Sequence, residues 1–383
     1  MTTTTAEPTR FRWDRLTAAS ALGYCVLVAG LSVGVVLGEL RSQFHISGVV
    51  AALHGSTFGV GLLAAGVWGV GLVDRIGRRS ALRLAAGSIA VGVTLLCLGP
   101  AWPITLFGTA LTGGGGALMV MVMPGLISDH HGEHRATAFA AVNGIPGLAG
   151  LTFSLVIGGF LSAGLSWRPP YLAITFAFAL ALAFVAWPVP VPEGDRAGTF
   201  SLAPLRDRAV LVPWLHIVNA VLTEFTIGIW AVTYLHEVGH AAAGTAAVLA
   251  SVFGVMMFLV RVLLPRLLTR FGAATISLSF IVTGAGALVM CFAPGLPAKV
   301  LGLMMVGFGG GPLYPLTVDA FYEQAGHRLD SVSMGAYCAL ASGAAVTVGP
   351  LALGVMADMV GLRWALLVVP ALAALGAVTQ RPR

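Results

Sequence analysis

Leu72-Val73-Asp74-Arg75-Ile76-Gly77-Arg78-Arg79 is a short charged string between two long apolar stretches, and the rest of the chain is read outward from it. An Asp and an Arg can pair at a helix end, a Gly permits a tight turn, and clustered arginines favour the aqueous edge of a membrane. The flanking stretches, 49–73 and 81–99, each match the roughly 20 apolar residues that one helical crossing of a bilayer needs. The string therefore reads as a loop between two membrane helices.

Composition extends that reading to the whole chain. Of 383 residues, 57% are hydrophobic and only 9% charged, with a mean hydropathy of +0.92. A soluble domain carries about a quarter charged residues, so an aqueous globule of this size is excluded. Apolar runs broken by charge or by Pro and Gly predict twelve spans: 16–38, 49–73, 81–99, 103–127, 136–161, 171–189, 209–235, 243–265, 273–294, 297–319, 332–356 and 364–380. The fold class is an all-α membrane protein. A cytoplasmic segment 1–15 precedes one six-helix bundle, 16–189. A polar linker, 190–208, leads to the second, 209–383. The loops are too short for a soluble catalytic domain, and the first apolar stretch lacks a signal-peptide cleavage site, so it reads as a retained helix.

Charge distribution orients the chain. The net charge is +6, and 20 of the 21 basic residues are arginine. Seventeen, Arg261 among them, fall on the side of the termini, and four (Arg41, Arg168, Lys299 and Arg363) fall on the other. The positive-inside rule then places both termini in the cytoplasm of a multi-pass cell-membrane protein. No basic stripe interleaves with aromatics, so nucleic acid is not an expected partner. The four cysteines lie in apolar spans without CxxC spacing and read as small buried hydrophobes. No metal or cofactor is expected.

The two halves read as copies. Asp74-Arg75-Ile76-Gly77 is echoed by Thr269-Arg270-Phe271-Gly272 at an offset of 195. Gly164-Leu165-Ser166-Trp167 is echoed by Gly361-Leu362-Arg363-Trp364 at 197, and Gly113 and Gly114 pair with Gly310 and Gly311 at the same 197. Ordered echoes of this kind predict parallel six-helix repeats.

On these residues the chain resembles the major facilitator superfamily of secondary transporters. The loop string is similar to that family's signature G-x-L-a-D-R-x-G-R-R/K. Val70 stands in for its first glycine, and Thr269 replaces the Asp of the second copy. The resemblance implies a gating motif, Asp74, Arg75, Gly77, Arg78 and Arg79, that latches the two halves in one conformation. Proton-driven drug exporters of the family carry an Arg in helix four, where this chain has Thr109, Ala110 and Thr112. Their helix-five G-P motif is also absent, Ser154-Leu155 preceding Gly158-Gly159.

A carboxylate in mid-bilayer costs about 2.5–3.5 kcal/mol on insertion scales, so each one calls for a partner or a function. By these spans Glu224 alone lies near the middle, on helix seven, which lines the central cavity in the resembled family. Glu224 is the first candidate for proton coupling. His216, two turns before it, and His54 on helix two are further candidates. His130 and His131 read as solvated loop residues. Helix-lining positions nominate Tyr24, Met119, Met123, Asn143, Asn219, Trp230 and Tyr314 for the substrate cavity. Such a lining is mostly apolar and aromatic, and it favours a hydrophobic or amphiphilic small molecule. Gly113, Gly114, Gly310, Gly311, Pro312 and Pro315 are candidate flexing points, the prolines being expected to kink helix ten and free carbonyls.

The leading expectation is proton-coupled efflux of a small organic molecule by alternating access, with protons, substrate and lipid as partners and a monomeric state. Proton-coupled uptake of a metabolite is the alternative. A transporter-like scaffold acting as a sensor or an intramembrane enzyme is the third, although no nucleophile–base pair is legible.

Overall fold

The computed structural model describes residues 12–131, 135–186, 201–325, 329 and 331–380. Eleven helices among them are long and apolar enough to cross a bilayer. One of these, Gly48–Leu98, is two helices merged across Gly77, whose φ of 77° and ψ of 157° are not helical. The count of crossings is therefore twelve: α1 Arg15–Phe44, α2 48–76, α3 78–98, α4 Trp102–His131, α5 Arg135–Ser162, α6 Arg168–Ala186, α7 Arg208–Glu237, α8 Ala243–Phe271, α9 Ala274–Phe292, α10 Leu296–Ala325, α11 Ser331–Val360 and α12 Leu362–Thr379. Most of the linker and the first eleven residues lie outside the described set.

The bundle wears its apolar side chains outward as well as inward. Phe184 is 86% and Trp68 73% exposed, which is tolerable only where lipid rather than water is the surrounding solvent. The four cysteines are buried and unpaired. Several helices run past their predicted ends, because their terminal turns carry polar residues that hydropathy truncates. Helix α1 is the clearest case, continuing to Phe44 through a 3₁₀ segment, Ser32–Val36.

Glycine contacts reveal the repeat and correct its register. A Cβ on Gly92 would stand 2.5 Å from the Gly108 carbonyl oxygen, and one on Gly286 would stand 2.6 Å from that of Gly302. Likewise Gly113 backs onto the Phe58 carbonyl and Gly307 onto that of Phe253, while Gly115 meets Ala85 as Gly309 meets Ser279. These pairs put α3 and α4 over α9 and α10 at an offset of 194, not 197. Gly113 thus corresponds to Gly307, and the expected pairing with Gly310 is a slip along a glycine-rich run. The turns keep the offsets read from sequence. Gly77 and Gly272 both have positive φ, as do Gly164 and Gly361. The change in offset between α4 and the α5–α6 turn localises a three-residue difference in the length of the two copies.

On the face opposite the termini, the four basic residues assigned there are each engaged locally. Arg41 pairs with Glu237 at 2.9 Å, and Arg168 bonds Gln43. Lys299 and Arg363, with the Tyr234 hydroxyl, donate to the Met290, Cys291 and Ala293 carbonyls at the end of α9. Cations and donors at a helix C-terminus satisfy its orphan carbonyls and its dipole.

Candidate functional site

Glu224 lies sixteen residues into α7, about 24 Å along the axis at 1.5 Å per residue, and is 8% exposed. Its Oε2 is buried without a hydrogen-bond partner among the described residues, and its Oε1 stands 3.8 Å from Nη2 of Arg261. Charge counting misplaces Arg261. It groups the residue with the basic side chains of the terminal face, yet Arg261 sits within α8, ten residues before Phe271. The sequence does carry a signal: an isolated Arg inside the run Val255–Leu264 stands apart from the Arg266 and Arg270 that follow.

The backbone of α10 explains how Arg261 is held. The helix breaks after Gly310, and a second segment starts at Leu313. A helical Gly311 carbonyl would accept from residue 315, but Pro315 has no N–H. The freed oxygen instead accepts from Arg261 Nε at 3.0 Å. A side chain from a neighbouring helix thus takes this carbonyl.

Around this pair the helices bring together some candidates and disperse others. Tyr24 of α1 and Tyr314 of α10 are half-buried and pack against the same apolar core as Cys338 of α11. Gly310 is buried, yet nothing lies within 4 Å of where its Cβ would stand, so it faces internal space. Gly114 is similarly uncrowded, its nearest neighbour being the Gly61 carbonyl at 3.8 Å, whereas Gly311 packs against Val260 and Met257.

Met119 and Met123 are 0% and 1% exposed, and Met123 fills the space left by Gly23 on α1. Both serve packing within the first bundle. Asn219 turns away from Glu224 and donates to the Leu372 carbonyl of α12 at 3.2 Å, and Trp230 donates to the Pro350 carbonyl of α11 at 3.2 Å. The Asn143 side chain lies outside the described residues.

His216 is half-buried and makes no hydrogen bond among the described residues. His54 is fully buried, with Nε2 2.8 Å from the Thr105 hydroxyl and Nδ1 3.1 Å from the Ala51 carbonyl. A neutral ring donating from Nδ1 and accepting at Nε2 satisfies both contacts.

In the charged string around Gly77, Arg78 pairs with Asp129 at the end of α4 at 2.7 Å while only 7% exposed. That contact ties two helices of the same bundle. Gly77 supplies the left-handed turn that aims Arg78 at α4. Asp74 and Arg79 also have partners. Beside this string the reading of His130 and His131 needs correction. They are not merely solvated: they end α4 against the start of α1, His130 on the Asp14 carboxylate and His131 2.8 Å from the Thr17 hydroxyl. Asp14 also caps α1, accepting from the Thr17 N–H at 2.8 Å. Partial burial pushes this carboxyl up, but the Thr17 and His130 hydrogen bonds outweigh it and hold Asp14 at about 2. The ligand atoms of Asp14, His130 and His131 lie within 4.8 Å of one another, a grouping that sequence spacing could not reveal.

The family model described as Major Facilitator Superfamily matches residues 19–345. The chain belongs to this superfamily. It is similar to the uncharacterised transporter y4wD of Sinorhizobium fredii, 26% identical over 90% of this chain and 93% of the relative. It is also similar to an uncharacterised MFS-type transporter of Salmonella typhimurium, 25% identical over 97% and 96%. Among solved structures, a point mutant of the nucleoside transporter NupG superposes with a TM-score of 0.73 at 12% identity, covering 96% of this chain and 98% of that one. A point mutant of the fucose:proton symporter FucP of E. coli gives 0.69 at 14%, covering 95% and 97%. At those identities the structures share the fold alone. This superfamily member is thus a multi-pass membrane protein of a transporter family, and its relatives are transporters rather than enzymes.

Proposed function

We propose that the chain is a proton-coupled secondary transporter that moves a small amphiphilic organic molecule across the cytoplasmic membrane by alternating access, with both termini in the cytoplasm and Glu224 carrying the proton. One observation carries this reading. Glu224 is a mid-membrane carboxyl with one oxygen sealed from any partner and the other 3.8 Å from a guanidinium on the next helix. A purely structural carboxyl would have its oxygens hydrogen-bonded, because an unsatisfied buried acceptor costs about 1–3 kcal/mol. The arginine string around Gly77 serves in this reading as the gate between the two conformations.

Export against inward-moving protons is one direction this reading allows. Uptake by symport is the second reading, and α4 favours it: Thr109, which bonds the Thr57 hydroxyl at 2.6 Å, occupies the neighbourhood where drug exporters of this family carry an Arg.

Reconstituted vesicles test the coupling. Compounds selected by thermal stabilisation of the purified protein are offered with and without an imposed pH gradient, in both orientations. Glu224→Gln is expected to abolish gradient-driven transport and to retain exchange. Undiminished driven transport in that variant removes Glu224 from the mechanism.

A further inference from the structure

We propose that the cargo is an organic anion whose carboxylate replaces that of Glu224 on the Arg261 guanidinium. This rests on the reading of Glu224 as the proton carrier, and it names the substrate class for that same site. A guanidinium cannot shed its proton in a protein, so at this depth Arg261 needs acceptors whatever the state of Glu224. The structure gives it one close acceptor, the Gly311 carbonyl on Nε. The Glu224 carboxylate lies beyond hydrogen-bond reach of Nη2, and Nη1 meets no acceptor among the described residues. The open edge of the fork is the part that recognises the two oxygens of a carboxylate. Because Pro315 frees the Gly311 carbonyl permanently, the guanidinium stays anchored when its carboxylate partner changes.

Space and lining agree with that exchange. The Arg261 side chain is 18% exposed, Gly310 faces open internal space, and the half-buried Tyr314 follows the Gly311 anchor by three residues on α10. An anion with an apolar or aromatic body fits this setting better than a sugar. In the exchange a proton from solution forms an O–H bond on Glu224 while the incoming carboxylate takes its place beside Arg261. One proton and one anion enter together, and the net charge of the site is unchanged. That stoichiometry favours symport over export by exchange. Other titratable groups on the surrounding elements include the Tyr314 phenol of α10, Cys338 of α11 and, eight residues back on α7 itself, His216.

The test uses the purified full chain with benzoate and octanoate as probes and their uncharged amides as controls, titrated by thermal shift at about pH 6 and about pH 8. Both carboxylates are expected to stabilise the wild type more at the lower pH. Glu224→Gln, which leaves the guanidinium permanently without its competitor, is expected to bind them independently of pH and, at the higher pH, about tenfold more tightly than the wild type. Arg261→Gln is expected to lose the response and Arg261→Lys to weaken it. Should Arg261→Gln fail to fold, the lysine and Glu224→Gln variants carry the decision. Equal stabilisation by the amides, or no carboxylate response in either the wild type or Glu224→Gln, overturns the anion proposal. Retained gradient-driven transport in Glu224→Gln overturns the proton-carrier reading instead, so the two failures are separable.

Discussion

Gly34 of α1 lies directly against the backbone of Ile229 on α7, close enough that a Cβ would stand 2.9 Å from the Ile229 carbonyl oxygen and 3.1 Å from its Cα. The contact joins the two bundles on the face opposite the termini, within the 3₁₀ segment that interrupts α1. Nearby, Arg41 pairs with Glu237 and the Asp358 carboxylate approaches the start of α2 at Gly48, where a helix N-terminus favours a negative charge. In the proposed alternating-access cycle, rocking of one bundle against the other would separate these contacts.

Gly34→Val therefore has a directional effect. The valine cannot fit against fixed backbone, so α1 and α7 are pushed apart and the state open on that face gains population. A cysteine introduced at Val238, beside Glu237, is expected to label faster from that side in the Gly34→Val background. Arg41→Ala is the contrast: an exposed pair contributes about 0–1 kcal/mol, so it should change labelling little. Equal labelling with and without valine would show that the backbone contact does not hold the face closed.

Gly77 and Gly71 are six residues apart and should respond oppositely to alanine. Gly77 has φ 77° and ψ 157°, a region essentially restricted to glycine, so Gly77→Ala is expected to cost about 1–3 kcal/mol. It should also disturb the Arg78–Asp129 pair that the turn aims. Gly71 is helical with nothing within 4 Å of its would-be Cβ, and there alanine is expected to gain about 0.4–1 kcal/mol by restricting the unfolded chain. Melting of both variants in detergent decides the matter, and a neutral Gly77→Ala would refute the turn argument.

Much of this architecture is legible in the sequence because lipid imposes a one-dimensional rule. The twelve spans follow from hydropathy, and both turn glycine pairs recur at the offsets read directly, Gly77 with Gly272 and Gly164 with Gly361. The register of Gly113 is not legible, because a run of four glycines offers several equivalent alignments and only the Phe58 and Phe253 carbonyls choose among them. The role of Arg261 escapes charge counting, which treats an Arg near a helix end as surface, whereas its partners come from α7 and α10. The Asp14, His130 and His131 group joins residues over a hundred positions apart, which no local spacing encodes.

Asp14 separates a capping role from a charge role. Loss of its side-chain oxygen in Asp14→Ala is expected to cost about 0.5–2 kcal/mol, as for other N-caps. Asp14→Asn keeps the cap to Thr17 and loses only the charged contact with His130, which is exposed and screened, so it should melt close to wild type. A folded-state value of about 2, below the ordinary 3.8, means that the stability contributed by the ionised carboxyl is fully present above the ordinary value. It is lost as pH falls through about 2. Melting temperatures of wild type and Asp14→Asn should thus differ by a constant amount from about pH 5 to 8 and converge only in strong acid. A difference that varies across the neutral range would show that Asp14 is not the controlling group.

The Glu224–Arg261 pair should respond asymmetrically to removal of either member. When Arg261 is replaced, the Glu224 carboxyl can take a proton and become neutral, so the loss is limited. When Glu224 becomes Gln, the guanidinium keeps its charge and retains only the Gly311 carbonyl as a hydrogen-bond partner. Stranding it is expected to cost about 1–3 kcal/mol. Glu224→Gln should therefore melt lower than Arg261→Gln, measured in detergent without added anions. The double variant, with both charges gone, should recover much of the loss, as removing a whole buried pair does elsewhere. If the two single variants melt alike and the double variant falls by their sum, the side chains are energetically independent, and the 3.8 Å separation is only proximity.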